Sequence, residues 1–211
     1  MISRTIFSHN EKAGWFYPRH PVVCIIDSVG FLIAFSLILF YQPHFTTLVL
    51  PTAVMLQYTV SFIHHWFSYS ELRSKVDRGM IFILIAATYV PYWEGLLPAH
   101  ESLERLVPVG ISALIGLILL FSNVSEKIIG IYWALFASAG LVVSFFELQA
   151  WLPKAALLFF WIGTLFYGVQ QVIYTFEYPD PLPNVFGYRE VQHIVLLIAT
   201  TIGSLVALQY T

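Results

Sequence analysis

The sequence predicts an all-α integral membrane protein of seven transmembrane helices, with a cytoplasmic N-terminus and an extracytoplasmic C-terminus. Three observations lead there. Hydrophobic residues make up 58% of the 211 and charged residues only 10%, against about 25% charged in a soluble domain, so there is too little polar surface to cover a globule in water. The apolar residues gather into seven runs, each long enough to cross a hydrocarbon core that takes roughly 20 helical residues. The basic residues, finally, are distributed unevenly among the loops.

In chain order the spans cover 21–41, 46–67, 79–97, 106–122, 128–146, 155–176 and 191–210. Residues 1–20 form a cytoplasmic arm, in which "GWFYPRHP" reads as an interfacial anchor, and 21–211 form a single domain. Span one is long and lacks a small-residue cleavage site, so it reads as a retained helix rather than a removable signal peptide. Its lone Cys24 excludes an internal disulfide. Span two ends in "SFIHH", a short charged segment follows, and Asp77 opens span three. That span carries Pro91, a kink residue tolerated in membrane helices, and closes on Tyr92, Trp93 and Glu94 at the outer aromatic belt. Glu147 and Trp151 end span five in the same manner, whereas spans four and five show hydropathy alone. Span six bears a polar stripe of Tyr167, Gln170 and Gln171, suited to hydrogen bonds between helices. The Pro-rich "EYPDPLPN" leads to span seven, whose first turns read "YREVQH". The connections leave no room for a soluble domain, and there is no internal repeat.

Orientation follows from the basic residues of short loops. With the N-terminus inside, Arg4, Lys12, Arg19, Arg73, Lys75, Arg78, Lys127 and Arg189 lie in the cytoplasm, and only Arg105 and Lys154 lie opposite. Such a chain is a multi-pass membrane protein, of the inner membrane if bacterial. A net charge of −2 leaves no nucleic-acid footprint. A retinal protein is excluded because span seven has no lysine for a Schiff base.

Topology then sets the chemistry at one depth. Ser61, His64 and His65 end span two, Asp77 begins span three and His193 lies in the first turns of span seven, all at the cytoplasmic side. Ser61 and His65 share a helix face, as do Arg189 and His193. His64 and His65 are about 100° apart, so only one is expected to point directly inward. Imidazole and carboxylate are zinc ligands, and a catalytic zinc keeps one position for water. The plain reading stands beside this one: a histidine is a polar end to an apolar span, and Asp77 is the N-cap of span three. Asp27 lies about 10 Å into span one, where a carboxylate usually faces a cavity or partner. It reads as a base or counter-ion near the same site, or as a locally bonded Asp beside Ser28.

These residues resemble the haemolysin III and progestin–adipoQ receptor family. "SFIHH" matches its Ser-x-x-x-His, "DRGMIFILIAATYVP" is similar to its Asp-led third span, and "VFGYREVQHIVL" is similar to its "V-F-G-x-H-E-x-x-H-x-x-V-L". The resemblance implies a zinc held near the cytoplasmic face by histidines of spans two and seven. His65 and His193 would be ligands, Asp77 the partner of the attacking water and Ser61 a supporting hydroxyl. It further implies a lipid or lipid-derived substrate, since alkaline ceramidases are relatives that hydrolyse a lipid amide. Two departures stand out. The family's first span-seven histidine is Arg189 here, and a guanidinium has no lone pair to donate to zinc. The Glu and Asn expected in span one are represented only by Asp27 and Ser28.

Three outcomes are open. Zinc stays, with Asp77, Glu190 or His64 replacing the lost ligand. Alternatively Arg189 pairs with Asp77 or Asp27 in place of the metal, leaving a non-catalytic receptor or lipid-binding protein. Or Arg189 merely snorkels to the interface. A channel or transporter rests only on the buried carboxylate.

Overall fold

The computed structural model of the chain describes residues 18–40, 45–122, 124–182 and 186–211. Residues 1–17 of the predicted arm, with Arg4 and Lys12, lie outside these, as do the side chains of Lys127 and Glu147. The described residues form seven helices: α1 Pro21–Phe40, α2 Phe45–Trp66, α3 Glu71–Leu96, α4 Ala99–Phe121, α5 Glu126–Trp151, α6 Lys154–Phe176 and α7 Tyr188–Tyr210. Among the described residues there is no strand beyond an isolated antiparallel bridge between Leu182 and Phe186, just ahead of α7. All helices except α5 are long and apolar enough to cross a membrane, and α5 contributes the shorter apolar stretch Ile128–Ala137.

Burial is inverted relative to a water-soluble protein. Asp27, Gln57, Ser61, His64, His65, Gln170, Glu190, His193, Thr200 and Ser204 are buried, while Ile25, Leu32, Leu39, Ile111, Leu114, Leu158 and Leu165 face outward. Apolar surface on this scale has a reason only if its solvent is lipid. The chain is a multi-pass integral membrane protein.

Helix α1 packs on α2 and α7, α2 on α3, and α6 on α7. The tight α1–α2 seam needs Gly30: a Cβ there would lie 2.6 Å from the Tyr58 ring. Tyr58 in turn bonds Thr200 Oγ1 at 3.1 Å, and Tyr92 donates to the Gly203 carbonyl at 3.3 Å, tying α2 and α3 to α7. A large core cluster joins α1, α2, α3, α6 and α7, and a smaller one around Phe82 and Trp133 holds α4 and α5 to α3.

Helices α3 and α4 start well before hydropathy indicates, α4 at Ala99, and α7 slightly before. The polar "ELRSKV" is helical, so α3 begins at Glu71, with Ser70 at the N-cap position. Glu71 suits the positive end of the helix and bridges Lys75 one turn on at 2.9 Å. Asp77 is therefore not the N-cap of span three but sits in its second turn, its carboxylate released from capping. Helix α7 begins at Tyr188, and the Glu190 carboxylate reaches back to accept the Gly187 N–H at 2.8 Å, half of a capping box.

Candidate metal centre

The start of α1, the end of α2, the start of α3 and the start of α7 meet at one end of the bundle. What brings them together begins with backbone. Residues just before α1 lie across the end of α2, where Arg19 N–H donates to the Trp66 carbonyl and His20 N–H to the His65 carbonyl, both at 3.1 Å. The last carbonyls of a helix have no partner within it, so this segment satisfies two of them and carries Arg19 and His20 onto the histidine pair. Pro21, at the first position of α1, has no N–H to lose there.

His64 and His65 are both buried, at 8% and 5% exposure. The expectation that only one points inward is corrected, because the pre-α1 segment covers the side of α2 that His64 faces. Arg19 Nη2 lies 3.2 Å from His64 Nε2 and 3.4 Å from its carbonyl. Arginine only donates, so His64 Nε2 accepts and Nδ1 is left; that atom is buried without a hydrogen-bond partner, as is His65 Nδ1. One ligand atom each from His64, His65 and partly buried Asp77 lies within 4.8 Å of the others, a group that could hold a metal ion.

His193 stands beside this trio. Its ring centroid is 5.1 Å from that of His65, edge to face. Its Nδ1 donates to Asp27 Oδ1 at 2.8 Å, with Asp27 fully buried. A carboxylate behind an imidazole orients the ring and leaves Nε2 as its acceptor, the arrangement that commonly supports a metal-binding histidine. Asp77 Oδ1 accepts from Gln57 Nε2 at 3.4 Å. The buried Ser61 hydroxyl, one turn before His65, has no well-aligned partner, although it lies within electrostatic reach of Asp77.

The structure thus separates the residues that the sequence put at one depth. His64, His65 and Asp77 converge, and His193 with Asp27 flanks them. Glu190 is occupied with capping α7. The expected Arg189–carboxylate pair does not form: Arg189 Nη1 donates to His20 Nε2 at 3.1 Å and Nε to the Tyr188 hydroxyl at 3.2 Å. Asp27 is already engaged by His193, and neither His20 nor Tyr188 carries a charge opposite to that of Arg189. His20, whose ring lies 5.2 Å from His65, was missed by sequence reasoning. In "PRHP" it looks like part of an interfacial anchor, and its only signal was its distance of one residue from span one.

The family model described as haemolysin-III related matches residues 10–203 of the chain. The chain belongs to the haemolysin-III related family. The match spans α1 to most of α7, so the helices that build the candidate centre all lie within the haemolysin-III region.

The residues of this haemolysin-III chain fit zinc. Two imidazoles and a carboxylate offer a borderline-soft N,N,O donor set; His65 keeps a buried nitrogen unpartnered, whereas His64, with Nε2 accepting and the proton therefore on Nδ1, would give a lone pair to a metal only on releasing Arg19. Buried polar atoms without partners are rare and point to an ion, an ordered water or a functional role.

Proposed function

We propose that this protein is a zinc-dependent hydrolase of a lipid amide or ester, ceramidase-like, working at the cytoplasmic face of the cell membrane. All seven helices cross, with the N-terminus inside. The observation that supports this most is the convergence of His64, His65 and Asp77 ligand atoms within 4.8 Å at a buried helix junction. Zinc held there would supply Lewis acidity toward a carbonyl and a water acidic enough to attack near neutral pH.

The chain's own residues do the rest. One Asp77 oxygen would hold the metal and the other accept the proton of the attacking water, with Gln57 steadying the carboxylate from α2. Ser61 is a spare buried donor for a developing oxyanion or for orienting Asp77. Asp27 fixes the tautomer and rotation of His193 at the side of the cluster.

A second reading, a non-catalytic lipid-binding or receptor protein, is favoured by one observation: the guanidinium groups of Arg19 and Arg189 bond His64 and His20, and cations there oppose a metal cation. Elemental analysis separates the two. The chain is purified without chelators or a histidine tag, as wild type and as His64→Ala, His65→Ala and Asp77→Asn. About one zinc per wild-type chain, lost in the variants while the helical fold persists, supports the hydrolase and leads to a lipid-hydrolysis screen. Metal-free wild type after zinc loading ends it in favour of the second reading.

A further inference from the structure

Among the described residues, Arg19 and Arg189 at this end of the bundle have no carboxylate partner. His64 lies within electrostatic reach of Arg19, Arg189, Arg73 and Arg78, and Arg19 within reach of Arg189 and Arg73. Burial, and then the charge of Arg189, hold the Arg19 guanidinium below its ordinary value. Yet the contacts of the two inner arginines are all with uncharged groups. Arg19 touches His64 and the face of Tyr69, and Arg189 touches His20, the Tyr188 hydroxyl and the Tyr188 ring face.

The nearby carboxylates are committed elsewhere. Asp27 accepts from His193, Glu190 from the Gly187 N–H, Glu71 from Lys75, and Asp77 from Gln57. Each guanidinium has five N–H donors in a rigid fork, and most of those on Arg19 and Arg189 are unspent; Arg19 Nε is buried without a partner. Orientation bias alone would be served by arginines extended into the headgroup region. These two instead turn inward against buried histidines.

We propose that Arg19 and Arg189 form a subsite for a phosphate group, seated beside the histidine cluster at the mouth of the bundle. Two guanidinium forks at one end of the bundle, within electrostatic reach of each other, suit a tetrahedral oxyanion, for which paired N–H donors give geometry as well as charge. A dianionic monoester fits the pair best, carried by a lipid headgroup or free in solution. The subsite does not depend on hydrolysis or on a bound metal.

The test is isothermal titration of the full chain in a neutral detergent. The probes are dihexanoyl phosphatidic acid, the matching dihexanoylglycerol and inorganic phosphate. Phosphatidic acid binds and the neutral lipid does not. Arg19→Gln and Arg189→Gln each weaken that binding about tenfold, the scale of one charge-assisted hydrogen bond. Arg19→Lys and Arg189→Lys, which keep the charge and lose the fork, weaken it less and guard against a glutamine variant that fails to fold. Inorganic phosphate binding as tightly as the lipid identifies the free anion as ligand; its binding far more weakly identifies the headgroup. The chelator-treated chain binds phosphatidic acid as the untreated chain does, so loss of the hydrolase reading leaves the subsite standing. Equal binding of both lipids, no binding of any probe, or an equal loss in Lys154→Gln at the opposite end overturns it.

Discussion

The contact between His193 and Asp27 is a 2.8 Å hydrogen bond between α7 and α1, with the carboxylate at 0% exposure and no other described partner for its Oδ2. Replacing Asp27 by Leu, of similar size, removes the acceptor and leaves the His193 Nδ1–H buried and alone. Orphaning one member of a buried pair costs about 3–5 kcal/mol. Asp27→Asn keeps a neutral acceptor and loses only the charge-assisted share, about 1–1.5 kcal/mol. At roughly 2–4 °C per kcal/mol for a chain of this size, Asp27→Leu lowers the unfolding midpoint by about 6–20 °C and Asp27→Asn by a few degrees. Thermal unfolding in detergent, followed by tryptophan fluorescence, reads both. A double-mutant cycle with His193→Gln then isolates the pair, with a coupling of about 1.5–3 kcal/mol. Coupling below about 0.5 kcal/mol, the noise of independent sites, would show that Asp27 and His193 do not support each other.

Three further outcomes follow from the same geometry. Asp77→Asn is thermally mild, about 0.5–1.5 kcal/mol, because Asp77 bonds Gln57 rather than Arg189, so the same unfolding assay gives a smaller shift than for Asp27→Leu; a larger one would place a buried cation on Asp77. Gly30→Ala drives a methyl group into the Tyr58 ring and costs about 1–3 kcal/mol by overpacking, relieved when Tyr58 is also shortened to Leu; an unchanged midpoint in the single variant would refute the close seam. Glu190→Ala frees the Gly187 N–H and costs about 1 kcal/mol, measured as faster amide exchange over the first turn of α7, and unaltered exchange would show that the carboxylate does not cap.

How much of this was legible in the sequence depends on what each feature rests on. The helices follow from composition over long windows, and the runs that became α1, α2, α6 and α7 needed only small changes at their ends. Helices α3 and α4 begin well before their apolar runs, because "ELRSKVDRG" and "AHESLER" are polar and hydropathy stops where an amphipathic turn continues. That left Asp77 open to a reading as an N-cap. Ser61, His64, His65 and His193 were legible because short loops force their span ends to one depth. Pairing was not. Whether Asp27 meets Arg189 or His193 depends on rotation of α1 against α7, set by Gly30 and Tyr58 rather than by any local pattern. His20 was least visible, since its place on α2 depends on two backbone hydrogen bonds that sequence does not announce.

The Asp27–His193 bond joins residues 166 apart, and this has a consequence for biogenesis. At about 5–20 residues per second, synthesis supplies the histidine roughly 8–30 s after the carboxylate. Until then α1 carries an acidic group with nothing to satisfy it, and an unpaired carboxylate in hydrocarbon is costly. The first helix therefore settles only when the last one arrives. Chains cut off before α7 remain unclosed along that seam, exposing a polar defect in the membrane that a quality-control protease can read.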